Sequence, residues 1–430
     1  MSADRPINTE EAPTDEQLVP KEEPKPAPSS APSPEPEPAP APPRPPRKPK
    51  PLAPKLLALL VVLAVGFIVA AIVFGSGGGK DETSAEQATP APSVEPSGDG
   101  EGAATAESLG FPGFATNNTT RVGGADPAAN AAAVALAAFP ATTESQRPKA
   151  VTLIDEGDWA GAIAAAVLMA PPVRAPVLFS SEGAVPQATE EALAALQPKN
   201  THEVAGSGAA AAGEIAILRD RLFPKAPKHI VIAPADAPEF AMPAAAWAAR
   251  SGDPVLFASG DDLPPATVSY LERHNQLPIY VLGPSAAISS EILREAEKIG
   301  GDARRVSGED PVANAIAFAR YDDGSFGWNI NDPGHGFVLV RDDAPLDAAA
   351  AAPLSGSGTW GPLLLTDSAD TLPAELRDYF LDVKPGYTDN PTRAFYNHVW
   401  VIGDQEAIDV NQQAEVNELA ELAKIGSGGE

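Results

Sequence analysis

The stretch "APVLFSSEGAVPQATEEAL", residues 175–193, has two partners in the same chain: "DPVLFASGDDLPPATVSYL", 253–271, and "GPLLLTDSADTLPAELRDYF", 361–380. Each copy holds a Pro, an apolar run, a small polar break, a second Pro and a helix-like stretch. The apolar runs do not alternate with polar residues, as expected of short strands covered by helices on both faces. Upstream of the copies stand "AVTLIDEGDWAGAIAAAVLMA", "HIVIAPADAPEFAMPAAAWAA" and "GFVLVRDDAPLDAAAAAPLS", each an apolar strand, an acid-bearing loop and an Ala-rich helix. Downstream stand "HEVAGSGAAAAGEIAIL", "IYVLGPSAAISSEIL" and "VWVIGDQEAIDVNQQAEVNEL", each a short strand ending in Gly and then a helix. Pro176 to Gly206 is 30 residues, Pro254 to Gly283 is 29, and Pro362 to Gly403 is 41 with an insertion, so one register runs through all three. A fourth element occurs twice, "RVGGADPAANA" from 121 and "RVSGEDPVANA" from 305, and the middle unit lacks it.

Each unit therefore reads β-α-β-α-β-α. Helices between consecutive strands imply right-handed crossovers and a parallel sheet. The expected class is α/β: three small modules, 119–222, 223–300 and 301–430, packed together rather than one large sheet. The aligned Pro176, Pro254 and Pro362 should each precede the same strand. The Ala-rich helices allow close approach to a neighbour.

The region before the modules has a different character. Residues 1–55 hold sixteen Pro in their first 50 positions and read as a disordered, partly polyproline tail. "LLALLVVLAVGFIVAAIVFG", 56–75, is twenty apolar residues without charge, the length of a transmembrane helix. Arg44, Arg47, Lys48, Lys50 and Lys55 precede it, which places the N-terminus in the cytoplasm and residue 80 onward outside. Residues 76–118 are rich in small and polar residues and read as a flexible linker.

The order of R-V-x-G-x-D-P-x-x-N-A, strand, acidic loop, Ala-rich helix, "aPvLl", "aT" and "v.G…ai" over about 119–425 resembles the cell wall-binding repeat type 2 family. The resemblance implies Rossmann-like modules in threes, set as a pseudo-trimer, on bacterial surface proteins that bind anionic wall polymers noncovalently. Where the family shows Arg-Tyr-x-Thr, this chain has Asn130 and Asn314 near the Thr position and no Tyr. The family's Asp at the start of the Ala-rich helix is Asp347 here, with Gly161 and Met242 in its place elsewhere.

Four residues are candidate ligand contacts: Arg121, Arg305, Asp158 and Asp347. The arginines open the matched motif and either grip a phosphate or carboxylate or pair with Asp126 and Asp310. Asp155, Glu156 and Asp158, like Asp342 and Asp343, lie where strands end, the edge at which open α/β sheets bind ligands. They are either solvated loop charge or holders of a cation that bridges acidic protein and acidic polymer.

Other chemistry is disfavoured. "GSGAAAAG" from Gly206 has its third Gly misplaced for a dinucleotide loop. The five His are scattered without metal-ligand spacing, and no G-x-S-x-G or cysteine is present. No metal, cofactor or catalytic residue is expected, so the chain reads as a non-enzyme. A net charge of −28 argues against nucleic acid as a partner.

Two functions fit: a membrane-anchored module that binds cell-wall anionic polymer or peptidoglycan, or an extracytoplasmic scaffold for another envelope protein. From residue 80 onward there are 49 acids against 22 bases, so an anionic polymer needs local basic patches or cations to bind.

Overall fold

The computed structural model describes residues 114–358 and 360–425. The expected tail (1–55), membrane segment (56–75) and most of the linker lie outside the described residues. Among the described residues no helix is long and apolar enough to cross a membrane.

Three parallel sheets form the body. The first has β3 (Ala150–Asp155) between β4 (Val177–Ser180) and β5 (Asn200–Glu203). In the second, β6 (Ile230–Pro234) lies between β7 (Val255–Ala258) and β8 (Ile279–Leu282), and β9 (Ala303–Val306) extends the sheet beyond β8. In the third, β10 (Gly336–Arg341) lies between β11 (Leu363–Thr366) and β13 (His398–Ile402). Pro176, Pro254 and Pro362 stand just before β4, β7 and β11. Each gives its carbonyl to an amide of the neighbouring strand, at 2.9 Å from Thr152, 3.0 Å from Val231 and 3.1 Å from Val338. A strand's first position tolerates Pro because no ladder N–H is lost there.

Sheet membership cuts across the module bounds read from the sequence. Strand β2 (Thr119–Val122), from the first repeat, pairs with β13 and completes the third sheet, with Arg121 opposite Val401. A two-residue strand β1 (Phe114–Ala115), inside the expected linker, pairs antiparallel with β2. Likewise β9, at the start of the third repeat, completes the second sheet through β8. The sheet without the R-V strand is therefore the first, not the middle one. Its outer strand β5 carries polar, mostly exposed residues, which suits an unpaired edge.

The helix after the last strand of each sheet, β2, β5 or β9, leaves its own sheet and covers the next. Helix α1 (Pro127–Ala138) packs on β4 and on α3 (Gln187–Leu196) of the first module. Helix α4 (Gly208–Leu222) packs on β7 and α7 (Pro265–Arg273) of the second. Helix α9 (Pro311–Arg320) packs on β11 and α11 (Ala374–Asp382) of the third. The packing is cyclic, first to second to third and back. At its centre three Ala-rich helices meet: α2 (Trp159–Ala165) with its 3-10 extension, α6 (Pro243–Ser251) and α10 (Pro345–Gly356). Their Ala residues are almost fully buried, and one-carbon side chains let three helix backbones crowd a single core.

Short side-chain bonds tie α3 and α7 to the strand that precedes each. Thr189 donates to the carbonyl of Phe179 at 2.8 Å, and Thr267 to that of Phe257 at 2.7 Å. The third module has Leu376 at this position, and it is fully buried.

Candidate functional site

The carboxyl ends of the strands are where ligands bind in open parallel sheets. All four candidate residues lie there, and each is engaged by the fold itself.

Arg121 is 2 % exposed. Its Nε donates to Gln413 Oε1 and its Nη1 to the Gly403 carbonyl, both at 3.0 Å. Further bonds go to the carbonyls of Asp404, Ile408 and Asp409. Arg305 is half-buried and does the same in the second module, donating to the carbonyls of Gly283 at 2.8 Å, Ile288 at 2.7 Å and Ser289 at 3.3 Å. Gly403 and Gly283 have φ of +94° and +97°, a left-handed turn that Gly adopts without a steric penalty, so the turn after each strand is built around its arginine. The expected pairing with Asp126 and Asp310 is not formed. These aspartates cap α1 and α9, accepting from Ala129 N and Ala313 N, each at 2.8 Å.

Asn130 and Asn314 bridge the same region. Asn130 Oδ1 accepts from Gly124 N, and its Nδ2 donates to Asp347 Oδ1 at 2.8 Å. Asn314 accepts from Gly308 N at 3.3 Å and donates to the Phe240 carbonyl at 3.4 Å. Phe240, not Met242, therefore stands where Asp347 stands in the third module. It occupies the third position of α5 (Pro238–Ala241), as Asp347 does in α10. In the first module Gly161 takes that place in α2, and Asp158 supplies the carboxylate from the cap position. Asp158 Oδ1 accepts from Gly161 N at 2.9 Å and from Gly208 N, at the start of α4, at 2.8 Å. A side chain at 161 would collide with the Asp158 carboxylate, so the Gly and the Asp form one device.

The electrostatics are those of an acidic rim. Burial pushes the Asp347 carboxyl up to about 6 against the Asn130 hydrogen bond, and Asp126, Asp343 and Asp404 add to the rise. Burial, then Asp343, also raises Asp342. Arg341 reaches Asp343 at 3.1 Å. Among the described residues no three acidic or imidazole side chains converge as a metal ion requires. The rim repels anions, Arg121 and Arg305 are turned inward onto carbonyls, and Arg341 is paired with Asp343.

No protein-family model matches the chain, and no curated protein matches its sequence. Solved structures do share the fold. Cwp6 from Clostridium difficile superposes with a TM-score of 0.56 at 18% identity, over 71% of this chain and 48% of that one. Cwp8 from Clostridium difficile gives 0.53 at 17% identity, over 71% of this chain and 52% of its own. The shared body thus spans about half of each neighbour.

Proposed function

We propose that this chain is a non-catalytic, membrane-anchored cell-envelope protein whose three-sheet body binds wall polymer noncovalently. The observation that carries the reading is the body itself, shared with two proteins that bear a cell-wall designation. Arg121, Arg305, Asp158 and Asp347 are committed to the scaffold, so in this reading the polymer is contacted elsewhere on the body. The membrane anchor rests on the apolar segment 56–75 alone. Its charge flank places the body outside the cell.

The test is co-sedimentation of the full chain, in mild detergent, with purified wall before and after removal of its anionic polymer, with and without Ca²⁺. Retention that falls on stripping is the expected result. Equal retention on stripped wall moves the ligand to peptidoglycan. Absence of retention on either overturns the reading in favour of a scaffold for an envelope protein. Exposed aromatics favour that second reading: Phe395 is 70% and Tyr396 51% exposed in the insertion of the third module.

A further inference from the structure

At the opposite, amino-terminal edge of the sheets lies a cleft of about 370 Å³ between the second and third modules. That is within the range of small-ligand sites, roughly 300–1,000 Å³. Three of the chain's five tryptophans line it: Trp247 from the central helix α6, Trp328 from the loop before β10, and Trp360 from the turn before β11. Trp328 packs edge-on against Trp247, centroids 5.5 Å apart, and near-parallel to Trp360 at 6.1 Å. Among the described residues no other junction gathers three indoles.

The polar groups divide into satisfied and free. Asp253, 2% exposed, accepts from the amides of Lys228 and His229, from His229 Nδ1 at 2.9 Å and from Trp247 Nε1 at 3.1 Å. It is fully used in holding Trp247 and the start of β6. Trp328 is 5% exposed, and its Nε1 has no acceptor. A buried donor left unpaired costs about 1–3 kcal/mol, so it marks a place where a partner is missing. Arg250 and Lys228, both exposed, flank the cleft, and among the described residues neither forms an ion pair. On a chain of net charge −28 they give this cleft a local positive flank. The Arg250 guanidinium rests over the Trp360 ring, 4.3 Å from its centroid.

Indole faces suit the C–H face of a sugar ring, an N–H suits its oxygens, and unpaired cations suit an acid. We propose that this cleft binds a pyranose bearing a carboxylate or phosphate, stacked on Trp360 and held by Arg250 and Lys228. The Arg250 guanidinium, on an exposed and flexible side chain, leaves the ring face as the sugar enters and takes the acidic group. Trp328 Nε1, covered while the cleft is empty, is the donor that a sugar oxygen reaches once Arg250 has moved. The proposal rests on the wall-polymer reading and gives that polymer a chemical class. It also removes the charge conflict, since the anion avoids the acidic rim at the carboxyl edge.

The test is a titration of the full chain, followed by intrinsic tryptophan fluorescence, with four probes: sodium glucuronate, glucose 6-phosphate, glucose and sodium acetate. The two acidic sugars should give saturable changes, glucose at least about tenfold weaker binding, the loss of one charged contact, and acetate none. The tighter of the two acidic sugars identifies the acid as carboxylate or phosphate. Trp360→Ala and Arg250→Glu should each lose at least about tenfold. Arg250 is exposed, so Arg250→Glu should keep the wild-type melting temperature, and it decides the matter if Trp360→Ala misfolds. Acetate binding as well as glucuronate, or unaltered sugar binding in Arg250→Glu, overturns the proposal. Loss of the cleft proposal alone appears as wild-type sedimentation with wall but no sugar response. Loss of the wall reading alone appears as a sugar response without sedimentation.

Discussion

The two R-V motifs have nearly the same letters and unequal burdens. Arg305 binds carbonyls 16 to 22 residues behind it, within a continuous run of chain. Arg121 binds the equivalent carbonyls 282 to 288 residues ahead, at the other end of the body, and adds Gln413. One arginine finishes a loop and the other closes the ring. Burial follows the burden, since Arg121 is 2% exposed and Arg305 only half-buried. A motif thus states a local geometry, while its energetic weight depends on what the chain has brought to it.

The comparison can be broken most directly at Arg121. Arg121→Ala should destabilise the body by about 3–5 kcal/mol, because it strands several buried carbonyls and frees the closing strand. Arg121→Lys should rescue little, since one ammonium cannot reach carbonyls spread around a planar fork. Urea unfolding measures both. A loss near that of a surface ion pair would mean β2 is held by its ladder alone.

Asp347 gives the next largest effect, and it exists only at the ring-closing junction. Its folded pKa of about 6 lies above the unfolded value of 3.8, so the native state holds the proton more tightly. Its contribution is fully present below about pH 4 and is lost as pH rises towards 6. Asp347→Asn keeps an acceptor for Asn130 and removes the titration. The variant should gain on wild type across that window, by up to about 3 kcal/mol above pH 6. Stability curves of the two proteins at several pH values check this. A difference that stays constant with pH would show that Asp347 is not raised.

Arg305→Ala should cost about 1–3 kcal/mol, clearly less than Arg121→Ala, because its carbonyl partners are part-buried and water can replace it. Equal losses at the two arginines would erase the distinction between loop closure and ring closure. The smallest effect sharpens the same point. Asp126→Ala and Asp310→Ala each remove one exposed helix cap, and each should cost about 1 kcal/mol by thermal unfolding. Matching cap losses beside unequal arginine losses would locate the whole asymmetry in the ring closure.

The repeat register and the strands were legible because their causes are local. The runs at 177–180, 255–258 and 363–366 show their burial in their own composition, and each aligned Pro marks a strand start. Asp126 and Asp310 read from the sequence as partners of the arginines, although each precedes a Pro at the first helical position, a local signal of helix entry that this pairing passes over. Both halves of the arginine device were visible too, as R-V and as "v.G…ai", but nothing in either says which carbonyls the guanidinium will meet. The tryptophan cleft was invisible for the same reason, since residues 247, 328 and 360 share no pattern in the sequence.

The sequence by itself determined an α/β chain of three like units, with α1 and α9 following matched strands and Ala-rich helices placed to pack closely. Tertiary structure alone decided that β2 and β9 join the sheet before them in the ring rather than the unit that follows them in the chain. The physical reason lies in how strands pair. A strand's inner faces are encoded in its own side chains, but its edge offers only backbone N–H and C=O groups, which are the same for every strand. Which edge it meets is settled by packing, and here α1 covers β4 of the first module while β2, just before it in the chain, lies against β13 of the third.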